Sequence, residues 1–141
     1  LSPHIVIEVS GETELEKGLG TFDTPGHTAG HQSVVVETSG GLVCLGGDAI
    51  SDAGAMRRGL PAFVFWSVEQ AQASLKKISQ KASVIYPGHD RPFMIDGDNI
   101  EYLTEAPTIK ISGFLDTNRD LVSMELGLPP KFEPRINPDA I

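Results

Sequence analysis

Short apolar runs bounded by turn residues recur along the first half of the chain, and they predict strands. Residues 4–9 carry apolar side chains at every second position, which is typical of a half-buried strand. Residues 18–24 lead into a second strand, and the β-branched run at residues 34–36 predicts a third that is covered on both faces. The turn at residues 39–41 joins this strand to an apolar run at residues 42–45. We therefore expect four antiparallel strands in the first third of the chain.

Helical periodicity is confined to one segment in the middle of the chain. Ser67 is a suitable N-cap, Gln70 three places later completes a capping-box pattern, and apolar residues follow at helical spacing to about Lys81. Residues 51–59 are small and predict a loop, and the acidic residues 11–17 predict a turn. Further strands are predicted at residues 83–85, 93–95 and 108–114, whereas residues 100–103 fit either a helix or a strand.

The size and charge of the chain narrow the classes of protein it can represent. Its 141 residues form one domain at most, which we place over residues 1–115 and follow with an extended tail over residues 116–141. The net charge of -8 disfavours binding to nucleic acid or to an anionic membrane, and no apolar run is long enough to span a bilayer. The one cysteine, Cys44, lies in an apolar run, which indicates a buried thiol and a cytoplasmic protein.

Three of the predicted strands end in side chains that commonly bind metal ions. His27 lies in a loop rich in glycine and proline, Asp48 ends the run at residues 42–48, and His89 ends the run at residues 83–89. Imidazole nitrogens and a carboxylate form a ligand set that suits zinc, iron(II) or manganese. We therefore predict a metal site formed by His27, Asp48 and His89. Asp48 is also the predicted catalytic residue, because a carboxylate can bridge two cations.

Other residues near these strand ends have plainer interpretations. His31, directly before a strand, is expected to point inward and to hold the loop through hydrogen bonds. His4 is expected to be exposed. Asp90 either orients a neighbouring group or is a surface aspartate in a turn. The aromatic cluster at residues 63–66 is interpreted as core, with a substrate-facing wall as the alternative.

Three motifs carry a family resemblance. They read TPGHTAGHQS at residues 24–33, GGD at residues 46–48 and YPGHD at residues 86–90. In wording, spacing and order they resemble the later motifs of the metallo-β-lactamase superfamily, and they are most similar to its N-acyl homoserine lactonase branch. The resemblance covers residues 5–93.

This resemblance implies a fold class and a role for each ligand. The class is α/β (α+β), and the chain corresponds to the C-terminal half of a four-layer αββα sandwich, with a mixed, mostly antiparallel sheet and an outer helix. By position, His27 becomes a ligand of a first metal, Asp48 the carboxylate that bridges two metals, and His89 a ligand of the second. Two divalent metal ions are implied, with zinc expected and iron or manganese as alternatives.

The chain departs from the family pattern in two places. Members carry an earlier His-x-His-x-Asp-His motif, which none of the four histidines forms here, and many lactonases carry a tyrosine where this chain has Ser51. An N-terminal half-domain chain with the remaining ligands is therefore the expected partner, either cut away before Leu1 or encoded separately. It would cover an inner sheet face that is otherwise apolar. A higher oligomer is also compatible with this arrangement.

The leading functional hypothesis is a metal-dependent hydrolase that acts on a small molecule. The substrate would be a lactone, a thioester or another small ester or amide, attacked at its carbonyl by a hydroxide that two metals share. One alternative that the resemblance implies is an iron-dependent redox relative such as a persulfide dioxygenase. The other is a noncatalytic interaction module that keeps the scaffold, which the absence of the early motif favours.

Overall fold

The computed structural model describes residues 7–106, 108–114 and 121–127, and it divides the chain into two compact units, Leu1–Leu103 and Thr104–Ile141. In the first unit the strands are β1 (Thr13–Glu16), β2 (Leu19–Asp23), β3 (Gln32–Thr38), β4 (Gly41–Gly47), β5 (Val84–Pro87), β6 (Phe93–Asp96) and β7 (Asn99–Tyr102). Its helices are a short 3-10 helix (Asp48–Ile50), α1 (Ala53–Arg58) and α2 (Val68–Lys81).

The seven strands of this unit form one mixed sheet in the order β1-β2-β3-β4-β5-β6-β7. Strands β4 and β5 pair in parallel, with Cys44 opposite Ile85, and every other neighbouring pair is antiparallel. Two parallel neighbours require a crossover, which contains α1 and α2 here. As a result, β4 and β5 end at the same edge of the sheet, and the residues that follow them are brought side by side.

The core lies between α2 and one face of the sheet. Phe22, Cys44, Ile85 and Phe93 project from four strands and are fully buried, and they form one cluster with Leu75 and Ile78 of α2. The opposite sheet face is less covered, since Leu45 and its cross-strand neighbour Tyr86 are 42% and 45% exposed. The prediction that residues 34–36 are covered on both faces is therefore wrong for this chain, because none of the three valines is fully buried.

Helix α2 confirms the predicted helix and its start. The Ser67 hydroxyl accepts a hydrogen bond from the Gln70 N–H, and Ala71, Leu75 and Ile78 lie on the buried face. The second half of the predicted capping box is not formed, because the Ser67 N–H donates to the Gly26 carbonyl instead. The Gln70 side chain accepts from the Trp66 indole N–H.

Two predicted irregular segments have regular structure. The predicted turn at residues 11–17 contains β1, whose acidic side chains lie at an exposed sheet edge. The predicted loop at residues 51–59 contains α1, whose start is capped by the Asp52 carboxylate and whose last residue is followed by Gly59. The sequence did contain a signal for this helix. Asp52 is a good N-cap, Gly59 is a typical residue after a helix end, and Ala53 and Ala55 between them are strong helix formers.

The first predicted strand is wrong where it can be compared, because residues 7–10 have no regular structure and the remainder of residues 4–9 lies outside the described residues. The expected set of four antiparallel strands still forms, with β1 in its place. Strands β6 and β7 confirm extended structure at residues 93–95 and settle residues 100–103 as a strand through Tyr102.

The second unit contains a two-stranded antiparallel sheet. Strand β8 (Thr108–Phe114) confirms the predicted strand and pairs with β9 (Leu121–Gly127), which lies within the predicted tail. The domain boundary at residue 115 stays a prediction. Within the described residues, no helix combines the length and the apolar character needed to cross a bilayer.

Candidate metal centre

The His27 loop joins β2 to β3 and is closed by its own hydrogen bonds. The Thr24 N–H donates to the His31 carbonyl over 2.9 Å, and the buried Thr24 hydroxyl lies 2.8 Å from Nδ1 of His31. Thr24 also contacts the Ser33 hydroxyl, which donates to the carbonyl of Gly46 at the end of β4. The prediction that His31 holds the loop is confirmed. Its burial lowers the pKa of the imidazole, and the neighbouring His27 adds to this effect.

Helix α2 and the two residues that precede it support the same loop. The Gly26 carbonyl accepts hydrogen bonds from the N–H groups of Trp66 and Ser67, and the Ser74 hydroxyl donates to the Pro25 carbonyl over 2.6 Å. Gly26 has φ 137°, and a Cβ there would collide with the backbone of Ala71. Only glycine therefore allows the loop to rest on α2 at this distance.

The Asp48 and His89 loops are joined through their backbones at the ends of β4 and β5. The Gly88 N–H lies 3.1 Å from the Gly47 carbonyl oxygen, and the His89 N–H donates to the Ser51 carbonyl over 2.8 Å. A Cβ on Gly88 would lie 2.9 Å from the Gly47 oxygen and 3.0 Å from Oδ1 of Asp48. The two loops can approach this closely because residue 88 has no side chain.

The structure brings the three predicted ligands together. Nε2 of His89 lies 2.8 Å from Oδ1 of Asp48, and Nε2 of His27 lies 3.5 Å from Oδ2 of the same carboxylate. The side chain of His27 is 17% exposed and that of His89 is 69% exposed, so the site opens at the His89 side. Each oxygen of Asp48 thus faces one imidazole, which is the arrangement that a bridging carboxylate requires.

The tautomer of His27 can be read from its second contact. Nδ1 lies 3.0 Å from the carbonyl oxygen of Phe63, which can only accept a hydrogen bond, so Nδ1 carries the proton. In the neutral ring Nε2 then presents a lone pair toward the Asp48 carboxylate. Two facing acceptors repel each other unless a proton or a cation lies between them. The ring is therefore oriented as a metal-binding histidine is, by a hydrogen bond at its other nitrogen.

These three side chains do not make a complete metal site by themselves. Across the part of the chain that the structure describes, no group of three or more His, Cys, Asp or Glu side chains is arranged to hold a metal ion alone. The donor set still fits divalent zinc, iron or manganese in its chemistry, with two imidazoles and one shared carboxylate. The metal-ligand roles of His27, Asp48 and His89 stay predictions.

The aromatic cluster at residues 63–66 is not core. Phe63, Phe65 and Trp66 are 61%, 74% and 61% exposed. The ring of Phe65 meets the His27 ring edge to face with 5.0 Å between centroids, and it stacks on Phe63. The interpretation as core is therefore wrong, and the cluster forms an apolar wall beside His27. The contact between the Phe63 carbonyl and His27 joins residues 36 positions apart, so no local sequence pattern could have indicated it.

Two other residues complete the comparison with the sequence. Asp90 is half-buried and its carboxylate accepts three hydrogen bonds, so its interpretation as a surface aspartate is wrong. His4 lies outside the described residues.

Comparison with known proteins gives the family. Residues 1–89 match the sequence profile of the metallo-beta-lactamase superfamily. The chain belongs to this superfamily, and its mixed seven-stranded sheet with an outer helix agrees with the predicted α/β class.

The similar proteins come from the branch that the motifs indicated. N-acyl homoserine lactonases from Bacillus sp and Bacillus cereus are each 32% identical over 87 residues, which cover 58% of this chain and 34% of the relative. A solved structure of an N-acyl homoserine lactone hydrolase, with the product N-hexanoyl-L-homoserine bound at its catalytic metal center, shares 32% identity with a TM-score of 0.51 and the same coverage. A quorum-quenching N-acyl homoserine lactone hydrolase structure is 31% identical with a TM-score of 0.51, over 58% of this chain and 36% of that one. The chain spans about a third of the length of these relatives.

Proposed function

We propose that this chain contributes part of the active site of a metal-dependent hydrolase. The observation that carries the proposal is the placement of the Asp48 carboxylate, whose Oδ1 lies 2.8 Å from Nε2 of His89 and whose Oδ2 lies 3.5 Å from Nε2 of His27. His27 would bind one divalent ion, His89 a second, and Asp48 would bind both. When bound, such ions polarise a carbonyl and lower the pKa of a water molecule toward neutrality.

Each residue at the site has a distinct role in this proposal. Phe63 fixes the tautomer of His27 through its carbonyl, so that Nε2 is free to coordinate. Asp48 would offset part of the charge of the two cations with its one carboxylate. The Ser51 carbonyl holds the backbone of His89, whose ring reaches the second oxygen of Asp48. All three groups are thus positioned before a metal binds, which lowers the reorganisation that binding requires.

The proposed substrate is a lactone, a thioester or another small ester. Support comes from the lactonase relatives and from the exposed rings of Phe63 and Phe65, which provide apolar surface beside His27 for the acyl part of such a molecule. Ser51 stands where many lactonases carry a tyrosine, so this position offers no phenol to the substrate. The Ser51 side chain is buried and its hydroxyl accepts a hydrogen bond from the Ala62 N–H.

We further propose that the remaining ligands come from a half-domain outside residues 1–141. The incomplete donor set supports this, as does the partly exposed sheet face that carries Leu45 and Tyr86. Purified native protein should then contain a second polypeptide segment with histidine ligands, either linked or separate, and intact mass with N-terminal sequencing would identify it. Native protein that lacks such a segment favours the noncatalytic module instead.

The test of function compares Asp48→Asn with Asp98→Asn in the native protein. Asp98 lies in the exposed turn between β6 and β7, so its substitution makes the same chemical change away from the site. Metal content and lactone or thioester turnover should both fall in Asp48→Asn, with a loss of turnover on the order of a hundredfold or more. They should be unchanged in Asp98→Asn. Equal metal content and rate in the two variants would contradict the proposal, and iron held anaerobically without hydrolysis would favour the redox alternative.

A further inference from the structure

Asp90 connects the His89 loop to two other elements. Its Oδ2 accepts a hydrogen bond from the N–H of Ala53, the first residue of α1, over 3.1 Å, and another from the Tyr102 hydroxyl of β7 over 2.8 Å. Its Oδ1 accepts from the N–H of Arg91 over 2.8 Å. One carboxylate therefore ties together α1, β7 and the chain directly after His89. Hydrogen bonds to a charged acceptor are stronger than neutral ones, so these contacts hold more firmly than a typical turn.

Tyr102 is itself held in place as a donor to Asp90. Its ring packs edge to face against the buried Phe93, and the Arg91 guanidinium lies 3.9 Å from the ring centroid. Burial and the hydrogen bond to Asp90 raise the pKa of Tyr102 to about 12. The phenol therefore keeps its proton and donates to Asp90 at any neutral pH.

His89 depends on this support because its own side chain receives little packing. The imidazole is 69% exposed, so few contacts other than the one to Oδ1 of Asp48 restrict the ring. The backbone that carries the ring is held on one side by the hydrogen bond from the His89 N–H to the Ser51 carbonyl and on the other by the contacts of Asp90. Ser51 and Ala53 flank the start of α1, so both restraints fix His89 against the same short segment.

We propose that Asp90 is a positioning residue that keeps His89 against Asp48. Its consequence for metal binding rests on the proposed function, but its effect on the His89 loop does not. Nothing in this role requires Asp90 to contact metal or substrate. It acts through the backbone of the neighbouring residue.

The first arm of the test is hydrogen exchange in the metal-free protein. In Asp90→Asn, exchange of the Gly88 and His89 amides should rise on the order of tenfold, while that of the Val35 amide in β3 changes less. Asp23→Asn is the matched control, because Asp23 is also half-buried and accepts from the backbone N–H of Gly11 and the side chain of Gln32, far along the chain from His89. The control should leave the Gly88 and His89 amides unchanged relative to Val35.

Tyr102→Phe provides a second variant that keeps the ring and removes only the hydroxyl donor. It should raise the exchange rates of the Gly88 and His89 amides by a smaller factor. If Asp90→Asn does not fold, Tyr102→Phe alone tests the positioning role. A rise that is uniform over all amides, or the same selective rise in Asp23→Asn, overturns the positioning role because either result indicates general destabilisation.

The second arm measures the zinc affinity of the same variants in the native protein, which includes the proposed half-domain. Asp90→Asn should bind zinc on the order of tenfold more weakly than the wild type, in line with the loss of other groups that orient metal ligands. Equal affinity in the two proteins overturns the positioning role. A wild type that binds no zinc contradicts the proposed function instead, and the exchange arm then decides the role of Asp90 by itself.

Discussion

At the scale of single residues, the site depends on atoms that approach closely because a side chain is absent or fixed. Gly88 lets the His89 loop lie against Gly47 and Asp48, and Phe63 fixes the tautomer of His27 through a main-chain oxygen. The sequence indicated His27, Asp48 and His89 because ligand side chains at strand ends are recognisable. It could not indicate the carbonyl of Phe63, whose contact to His27 joins positions 36 residues apart, and it left Asp90 open between orienting a neighbouring group and lying at the surface.

Gly88→Ala should destabilise the protein by about 1–3 kcal/mol, because the added methyl group would press on the Gly47 carbonyl and on the Asp48 carboxylate. Gly30→Ala is the matched control, since a Cβ at Gly30 has no atom within 4 Å. Urea unfolding of the two variants gives the comparison. Equal free energies of unfolding would show that the two loops do not meet as closely as the structure places them.

Cys44 should be inert toward thiol reagents in the folded protein. It is fully buried, and this burial raises the pKa of the thiol from 9.0 to about 12. A disulfide reagent at pH 8 should therefore react with Cys44 only after unfolding in urea. Because the folded state keeps a proton that the unfolded state loses, stability should also fall as the pH rises from 9 toward 12. Fast labelling of the native protein at pH 8 would rule out the buried placement.

At the scale of elements, predictions succeeded where the pattern was long or strongly periodic. The helix from Ser67 has an N-cap and an apolar face over four turns, and the β-branched run around Val35 is unambiguous. The short elements were missed, since six residues of α1 carry less than two turns of periodicity and β1 is an exposed edge strand with acidic side chains. For such elements tertiary contacts decide the conformation, among them the hydrogen bond from the Ala53 N–H of α1 to the Asp90 carboxylate.

The cap of α2 offers a test at this scale. Ser67→Ala removes the acceptor of the Gln70 N–H and should cost about 1 kcal/mol in the free energy of unfolding. Ser79→Ala serves as the control in the same helix, because the Ser79 hydroxyl only donates to the Lys76 carbonyl one turn earlier. Its effect should stay within about 0.5 kcal/mol. Because α2 supports Gly26, Ser67→Ala should also increase hydrogen exchange in the His27 loop, and a loss of stability without that increase would contradict the coupling.

At the scale of the first unit, the parallel pairing of β4 with β5 creates the site. The motifs indicated which strands end in predicted ligands, and the crossover through α1 and α2 places the ends of β4 and β5 at one edge, so that Asp48 and His89 meet. The same topology leaves Leu45 and Tyr86 partly exposed on the face away from α2. Periodicity alone could not give this arrangement, because it does not encode the order of strands in a sheet.

Zinc should raise the free energy of unfolding of the native protein, and it should do so only by binding at this site. In the native protein, a ligand that binds the folded state alone adds about 2.7 kcal/mol to the free energy of unfolding at a free concentration of 100 times its Kd, and this raises the Tm. The net charge of -8 attracts any cation weakly, so magnesium, which prefers oxygen ligands, measures that background. Thermal unfolding should show a rise with zinc that greatly exceeds the rise with magnesium, and Asp48→Asn should reduce the zinc effect to the magnesium level. An equal zinc effect in wild type and Asp48→Asn would mean that the ion binds elsewhere, because the substitution removes the carboxylate charge that both imidazoles face.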